Sequence, residues 1–233
     1  MDIWLQWASG PLFRAAFVFM VLGLVRHAVM TLWEVVRAIH RAGDKKIPAR
    51  RIVAATAGWL VPVGRMADRP VFSLTSVAFH GAAILTPVFL AGHIALWERA
   101  LGIGWPALPN RVATSLTVVA VVAAVGLVIQ RAASRQSRAL SRPGDYALPL
   151  LVAVPFVSGF LVMHPGWNPF AYEPTLLVHV LSADVLFVLV PVTKLSHIIL
   201  VPATQLVSEL AWRFPPDGGS KVAVALGKES EPV

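Results

Sequence analysis

Long apolar runs separated by shorter polar connections form the hydrophobic pattern of this chain. Five of the runs are long enough to cross a membrane, because a transmembrane helix needs about 20 consecutive, mostly apolar residues. They predict transmembrane α-helices at about residues 11–36, 71–97, 112–130, 146–163 and 175–201. The predicted fold is therefore an all-α membrane bundle over residues 1–205, followed by a polar tail at 206–233.

A shorter apolar stretch, Ile52–Val63, lies in the long connection between the first two predicted spans. Its 12 residues are too few to cross a membrane, and they include Gly58 and Pro62. We interpret this stretch as an interfacial or re-entrant element that can also dock a partner protein.

Basic residues concentrate in two of the four connections. The connection between spans four and five, His164–Pro174, has no Lys or Arg, and the connection between spans two and three holds only Arg99 and Arg111. Because Lys and Arg collect in cytoplasmic loops, this asymmetry predicts an N-terminus outside and a C-terminus in the cytoplasm. The basic residues of the predicted cytoplasmic connections are Arg37, Arg41, Lys45, Lys46, Arg50, Arg51, Arg65, Arg69, Arg131, Arg135, Arg138 and Arg142.

The composition agrees with a membrane protein and excludes several kinds of chemistry. The chain is 57% hydrophobic and 14% charged, values that exclude an ordinary water-soluble domain. The absence of cysteine excludes disulfides, cysteine nucleophiles and cysteine-ligated iron–sulfur clusters within the chain. The net charge of +8 fits the positive charge of cytoplasmic loops better than nucleic-acid binding.

Four histidines in two predicted spans provide the main chemical pattern. His179 and His197 are 18 residues apart, or five whole helical turns, so a continuous helix places both rings on one face about 27 Å apart. His80 and His93 are 13 residues apart, which corresponds to a rotation of about 220°. These two rings share a face only if Pro87 kinks or rewinds the helix.

The predicted orientation divides these histidines into an outer pair, His93 with His179, and an inner pair, His80 with His197. Neutral imidazole is a good ligand for iron, and ionisable residues inside membranes are usually functional. Each pair can hold one haem b by its two axial positions. Two alternatives remain: the histidines are hydrogen-bonded packing residues, or His27 replaces His80 as the inner ligand.

The five-span plan, the basic loops and the histidine pairs on spans two and five resemble the di-haem cytochrome b, or gamma, subunit of respiratory nitrate reductases and its relatives in other membrane redox complexes. The resemblance covers about Pro11 to Val201. The separation of His179 and His197 fits that family, whereas His80 and His93 are farther apart than in the family by about one helical turn.

The resemblance implies a subunit that oxidises quinol or reduces quinone in a bacterial or archaeal inner membrane. It implies two haems b and a partner iron–sulfur or other redox subunit on the cytoplasmic face. Two alternative functions are a proton-coupled transporter that uses buried His and Asp residues, and a purely structural membrane anchor.

Four further polar residues are candidates for roles at these sites. His164 and Asp184 are candidate proton-transfer groups for the quinone, although an interfacial histidine and a carboxyl paired inside the bundle explain them as well. Arg26 and Lys194 are candidate partners of the haem propionates, although both can instead extend to the lipid headgroups.

Overall fold

The structure is a computed structural model that describes residues 1–42, 47–60, 66, 69–213 and 218–230. Its described residues are mainly α-helical, and five helices are long and apolar enough to cross a membrane. The predicted helical class and the predicted number of spans are therefore confirmed. The five candidate spans are Asp2–Arg37, Pro70–Phe89, Asn110–Ala133, Pro143–Met163 and Tyr172–Val192.

The first helical stretch begins at Asp2 rather than near residue 11, and a π-helical turn at Ala8–Leu12 accommodates Pro11 within it. Short 3-10 turns lie at Pro165–Trp167 and Lys194–Ser196. The α-helices are α1 (Asp2–Trp7), α2 (Phe13–Ala42), α3 (Ala49–Leu60), α4 (Pro70–Phe89), α5 (Ala91–Leu101), α6 (Asn110–Ala133), α7 (Arg135–Leu140), α8 (Pro143–Met163), α9 (Tyr172–Val192), α10 (His197–Arg213) and α11 (Gly218–Ala225).

The chain divides into two compact units. The first comprises Met1–Phe17 and Arg65–Phe187, and the second comprises Val18–Gly64 and Val188–Val233. In the first unit α6 lies between α4 and α8. Small side chains allow membrane helices to approach closely. Those buried on α4, α6 and α8 are Ala82, Ala113, Ala120, Ala123, Ala124 and Ala153.

In the second unit α3 packs against α10 through Ile52 and Leu210. The stretch predicted to be interfacial is thus a 12-residue helix, Ala49–Leu60, with one face buried. The predicted tail boundary at residue 205 falls inside α10, which continues to Arg213. Leu210, beyond that boundary, belongs to this small core. Residues 61–63 of the predicted element lie outside the described residues, as do Lys45, Lys46 and Arg65.

The predicted second span is two helices rather than one. Pro87 lacks the N–H that would bond the carbonyl four residues earlier, and the backbone becomes extended at Leu90 (φ −74°, ψ 127°). The carbonyls at the end of α4 find other donors. The Trp105 indole Nε1–H donates to Val88 O at 2.9 Å, and the Leu108 N–H donates to Phe89 O at 2.9 Å. The helix can break here because these two bonds satisfy its terminal carbonyls, which would otherwise have few donors in lipid.

The predicted fifth span also breaks. Pro191 precedes an extended residue, Thr193 (φ −124°, ψ −172°), whose hydroxyl accepts the Leu195 N–H at 3.3 Å. As a result α9 ends at Val192 and a new helix begins at His197. The prediction that His179 and His197 share one face of a continuous helix is therefore wrong, because the extended backbone at residue 193 interrupts the helical rotation.

Candidate functional site

The structure brings together His93 and His179, the two histidines predicted to form the outer pair. His93 lies in the first turn of α5, beyond the break at Leu90, and His179 lies on α9. Their ring centroids are 6.0 Å apart, and their ring planes are inclined by 19°. The break changes the direction of the chain before His93, so the 220° rotation of a regular helix does not apply to this residue.

Each ring of this pair is held through Nδ1 by the carbonyl of a proline. The Nδ1–H of His93 donates to Pro87 O at 2.9 Å, and that of His179 donates to Pro155 O at 2.9 Å. A carbonyl can only accept a hydrogen bond, so both Nδ1 atoms carry the hydrogen. The lone pair of each neutral imidazole is therefore on Nε2, where it can bind a metal ion.

Gly159 on α8 provides the space for the His179 ring. A Cβ atom at Gly159 would lie 3.0 Å from Cε1 and 3.1 Å from Nδ1 of that ring, closer than ordinary contacts. The neighbouring Ser158 is buried, and its hydroxyl lies 3.5 Å from His179 Nδ1. Sequence reasoning missed Gly159, although an isolated glycine inside an apolar helix often marks a close contact.

The two histidines of the predicted inner pair lie in different units, and the structure describes each separately. His80, on α4, donates from Nδ1 to Ser76 O at 2.7 Å. His197, at the start of α10, donates from Nδ1 to Lys194 O at 2.9 Å. Both rings are exposed. Each therefore has the same Nδ1-protonated form as His93 and His179.

His27, the alternative inner ligand, is held differently. Its Nε2–H donates to Pro191 O at 2.8 Å, near the end of α9. Gly23 permits this approach, since a Cβ atom at Gly23 would collide with the Pro191 side chain. The Nε2 atom of His27 thus already holds a helix end, and the geometry favours a structural role for His27.

Four further predicted residues occupy different environments. Arg26 and Lys194 are exposed residues of the second unit. His164 follows α8, donates from Nδ1 to Phe160 O at 2.8 Å and stacks on the Phe160 ring. Asp184 is 3% exposed, and neither of its carboxylate oxygens has a hydrogen-bond partner among the described residues.

Within the part of the chain that the structure describes, no three His, Cys, Asp or Glu side chains form a group that could hold a metal ion. The His93 and His179 pair offers two nitrogen ligands. Such a pair suits a metal whose remaining ligands come from a macrocycle such as haem.

Comparison with known proteins places the chain in a family. No protein-family model matches the sequence, and no solved structure matches it. A protein of Nitratidesulfovibrio vulgaris (strain Hildenborough) is 35% identical over 199 residues, which cover 82% of this chain and 86% of that protein. The chain therefore belongs to the same family as this Nitratidesulfovibrio protein.

Proposed function

We propose that this protein is the cytochrome b subunit of a membrane redox complex. In this proposal it binds two haems b, the outer one held by His93 and His179 and the inner one assigned to His80 and His197. It transfers electrons between the quinone pool and a partner iron–sulfur or other redox subunit. The N-terminus lies outside a bacterial or archaeal inner membrane, and the partner docks on the basic cytoplasmic connections.

The spacing and anchoring of the His93 and His179 rings support this proposal most strongly. An imidazole nitrogen lies about 2.0–2.1 Å from a transition-metal ion that it binds, so two rings on opposite sides of one ion have centroids roughly 6 Å apart. The observed separation is 6.0 Å. The bonds from Nδ1 to the proline carbonyls leave both Nε2 atoms available as ligands. These two imidazoles are therefore the groups that would hold the iron of the outer haem.

Open space beside the candidate ligands also fits a flat macrocycle. Gly81 follows His80 and Gly92 precedes His93, and apart from the adjoining residues and backbone of the same helix, a Cβ atom at either glycine would meet no atom within 4 Å. When bound, haem b supplies a one-electron redox centre, while the chain supplies ligands, orientation and an apolar surround.

The proposal assigns the inner haem to His80 and His197, whose imidazoles would hold its iron. It assigns the exposed cations Arg26 and Lys194 to the haem propionates. Both rings are held through Nδ1 by backbone carbonyls.

Quinone chemistry requires proton acceptors as well as electron carriers. Oxidation of one quinol to quinone releases two electrons and two protons; the electrons leave towards the partner subunit, and the protons need basic groups. His164 has its Nδ1 bonded to Phe160 O, so its Nε2 can accept a proton. Asp184 has two carboxylate oxygens without partners among the described residues. We assign proton transfer to these two residues.

The absorption spectrum of the purified full-length protein tests the proposal. We expect two haems b per chain that a chemical reductant reduces. His93→Ala and His179→Ala should each remove the same haem, whereas His40→Ala, an exposed position on α2, should retain both. Loss of different haems in the two variants would refute the outer pairing. Absence of any haem signal would favour a transporter or a structural anchor instead.

A further inference from the structure

An apolar cleft lies in the second unit. It has a volume of about 400 Å³ and is lined by α2, α3 and α10. The side chains that form it include Leu32, Val53, Ala57, Pro202 and Leu206. The cleft is open on one side.

The two hydroxyl groups in the wall of this cleft are already used. Thr31 donates to His27 O at 2.9 Å, and Thr56 donates to Ile52 O at 2.9 Å, each within its own helix. The cleft therefore offers an almost purely apolar surface to an occupant, which suits a hydrocarbon chain better than a polar molecule.

A positive charge lies on the same face of α3. Arg50 precedes Val53 by three residues and Ala57 by seven, so it follows these cleft-lining side chains along one side of the helix. The next residue, Arg51, is rotated by about 100° to another side. Both are exposed, and neither forms an ion pair with another described residue. By this register Arg50 lies on the cleft side of α3, about one turn before Val53.

We propose that this cleft binds one acyl chain of an anionic phospholipid, whose phosphate is held by Arg50. A guanidinium matches a phosphate group in charge and geometry, and basic sites between membrane helices bind anionic headgroups. A quinone is a neutral molecule and gains no charge attraction from Arg50. This lipid site does not depend on haem binding.

Native mass spectrometry of the full-length protein in detergent, with phosphatidylglycerol or phosphatidylcholine added, tests this site. We expect Arg50→Gln to weaken the binding of phosphatidylglycerol about five-fold, the effect of one basic residue at an anionic membrane surface. Arg51→Gln is the matched control and should bind as the wild type does. Ala57→Phe should weaken the binding of both lipids by filling the cleft, and Ala54→Phe, an exposed position on α3 outside the cleft, should not.

Circular dichroism should show an unchanged helix content, and Ala57→Leu replaces Ala57→Phe if the larger side chain prevents folding. An equal loss in Arg50→Gln and Arg51→Gln would overturn the proposal, because it indicates a diffuse positive surface. Unchanged lipid binding in a folded Ala57 variant would overturn it as well. Equal displacement of phosphatidylglycerol by a quinone analogue from the wild type and from Arg50→Gln would also overturn the proposal, because Arg50 would then contribute nothing to lipid binding.

Discussion

Replacement of Gly159 by Ala should separate ligand positioning from stability. The new Cβ atom would lie 3.0 Å from Cε1 of His179, whereas ordinary contacts begin at 3.4 Å. The imidazole must therefore retreat by about 0.4 Å. If it moves away from α8, its 2.9 Å bond to Pro155 O lengthens to about 3.3 Å, beyond the usual range for this type of hydrogen bond.

Two opposing effects on stability should nearly cancel. Weakening the hydrogen bond costs about 0.5–1.5 kcal/mol, while Ala in place of Gly inside a helix contributes about 0.5–1 kcal/mol. The proposed haem site has no such compensation, because loss of a group that orients a histidine ligand typically lowers metal affinity about 10–100-fold. We therefore expect Gly159→Ala to melt near the wild-type temperature and to bind the outer haem about 10–100-fold more weakly.

Haem titration of the purified protein, followed by absorption and by thermal unfolding, measures both quantities. Gly126→Ala is the matched control, because its Cβ would lie 3.4 Å from the Thr75 side chain, an ordinary contact. It should retain full haem affinity and gain a little stability. If Gly159→Ala binds the outer haem as tightly as Gly126→Ala does, His179 is not positioned by its contact with α8.

Three further substitutions test other parts of the structure. Trp105→Phe removes the indole donor to the end of α4 and should lower the free energy of unfolding by about 1–3 kcal/mol. Trp167→Phe, at an exposed site, is the control and should change that free energy little. Thermal or denaturant unfolding compares the two variants. His27→Ala removes the donor to Pro191 O and should lower the free energy of unfolding by a similar amount, about 1–3 kcal/mol. The haem content should not change. Loss of a haem in this variant would indicate that His27 is a haem ligand. Asp184→Asn removes a buried carboxyl group without partners among the described residues and should preserve or raise the melting temperature. The rate of quinol oxidation should fall, while both haems remain reducible by a chemical reductant. An unchanged turnover rate would exclude Asp184 from proton transfer.

The spans were predictable because apolar length alone determines which segments can cross a lipid bilayer. The third predicted span, 112–130, lies within α6 (Asn110–Ala133), and the fourth, 146–163, lies within α8 (Pro143–Met163). The adjacency of His93 and His179 was also predictable, since the loop charges assigned both to one side of the membrane. The structure places these rings together on α5 and α9.

The helix breaks were not predictable in position or consequence. Pro87 indicates a disturbance, but many membrane helices continue through a proline with a kink. The complete break at Leu90 depends on donors from distant residues, Trp105 and Leu108, whose contact with the end of α4 is not visible in the local sequence. The same applies to Gly159, because its importance depends on which side chain of another helix lies against it.

Proline carbonyls also explain how three of the histidines are oriented. Pro87 and Pro191 lie in the last turn of α4 and of α9, where carbonyls lack a donor from their own helix, whereas Pro155 lies inside α8. Inside a membrane a donor to such a terminal carbonyl must come from the protein. A histidine ring that supplies it is fixed in direction, and the nitrogen it uses decides which nitrogen remains for a ligand. His93 and His179 supply Nδ1 and keep Nε2, whereas His27 supplies Nε2. The three proline carbonyls and their histidine donors are Pro87 with His93, Pro155 with His179 and Pro191 with His27.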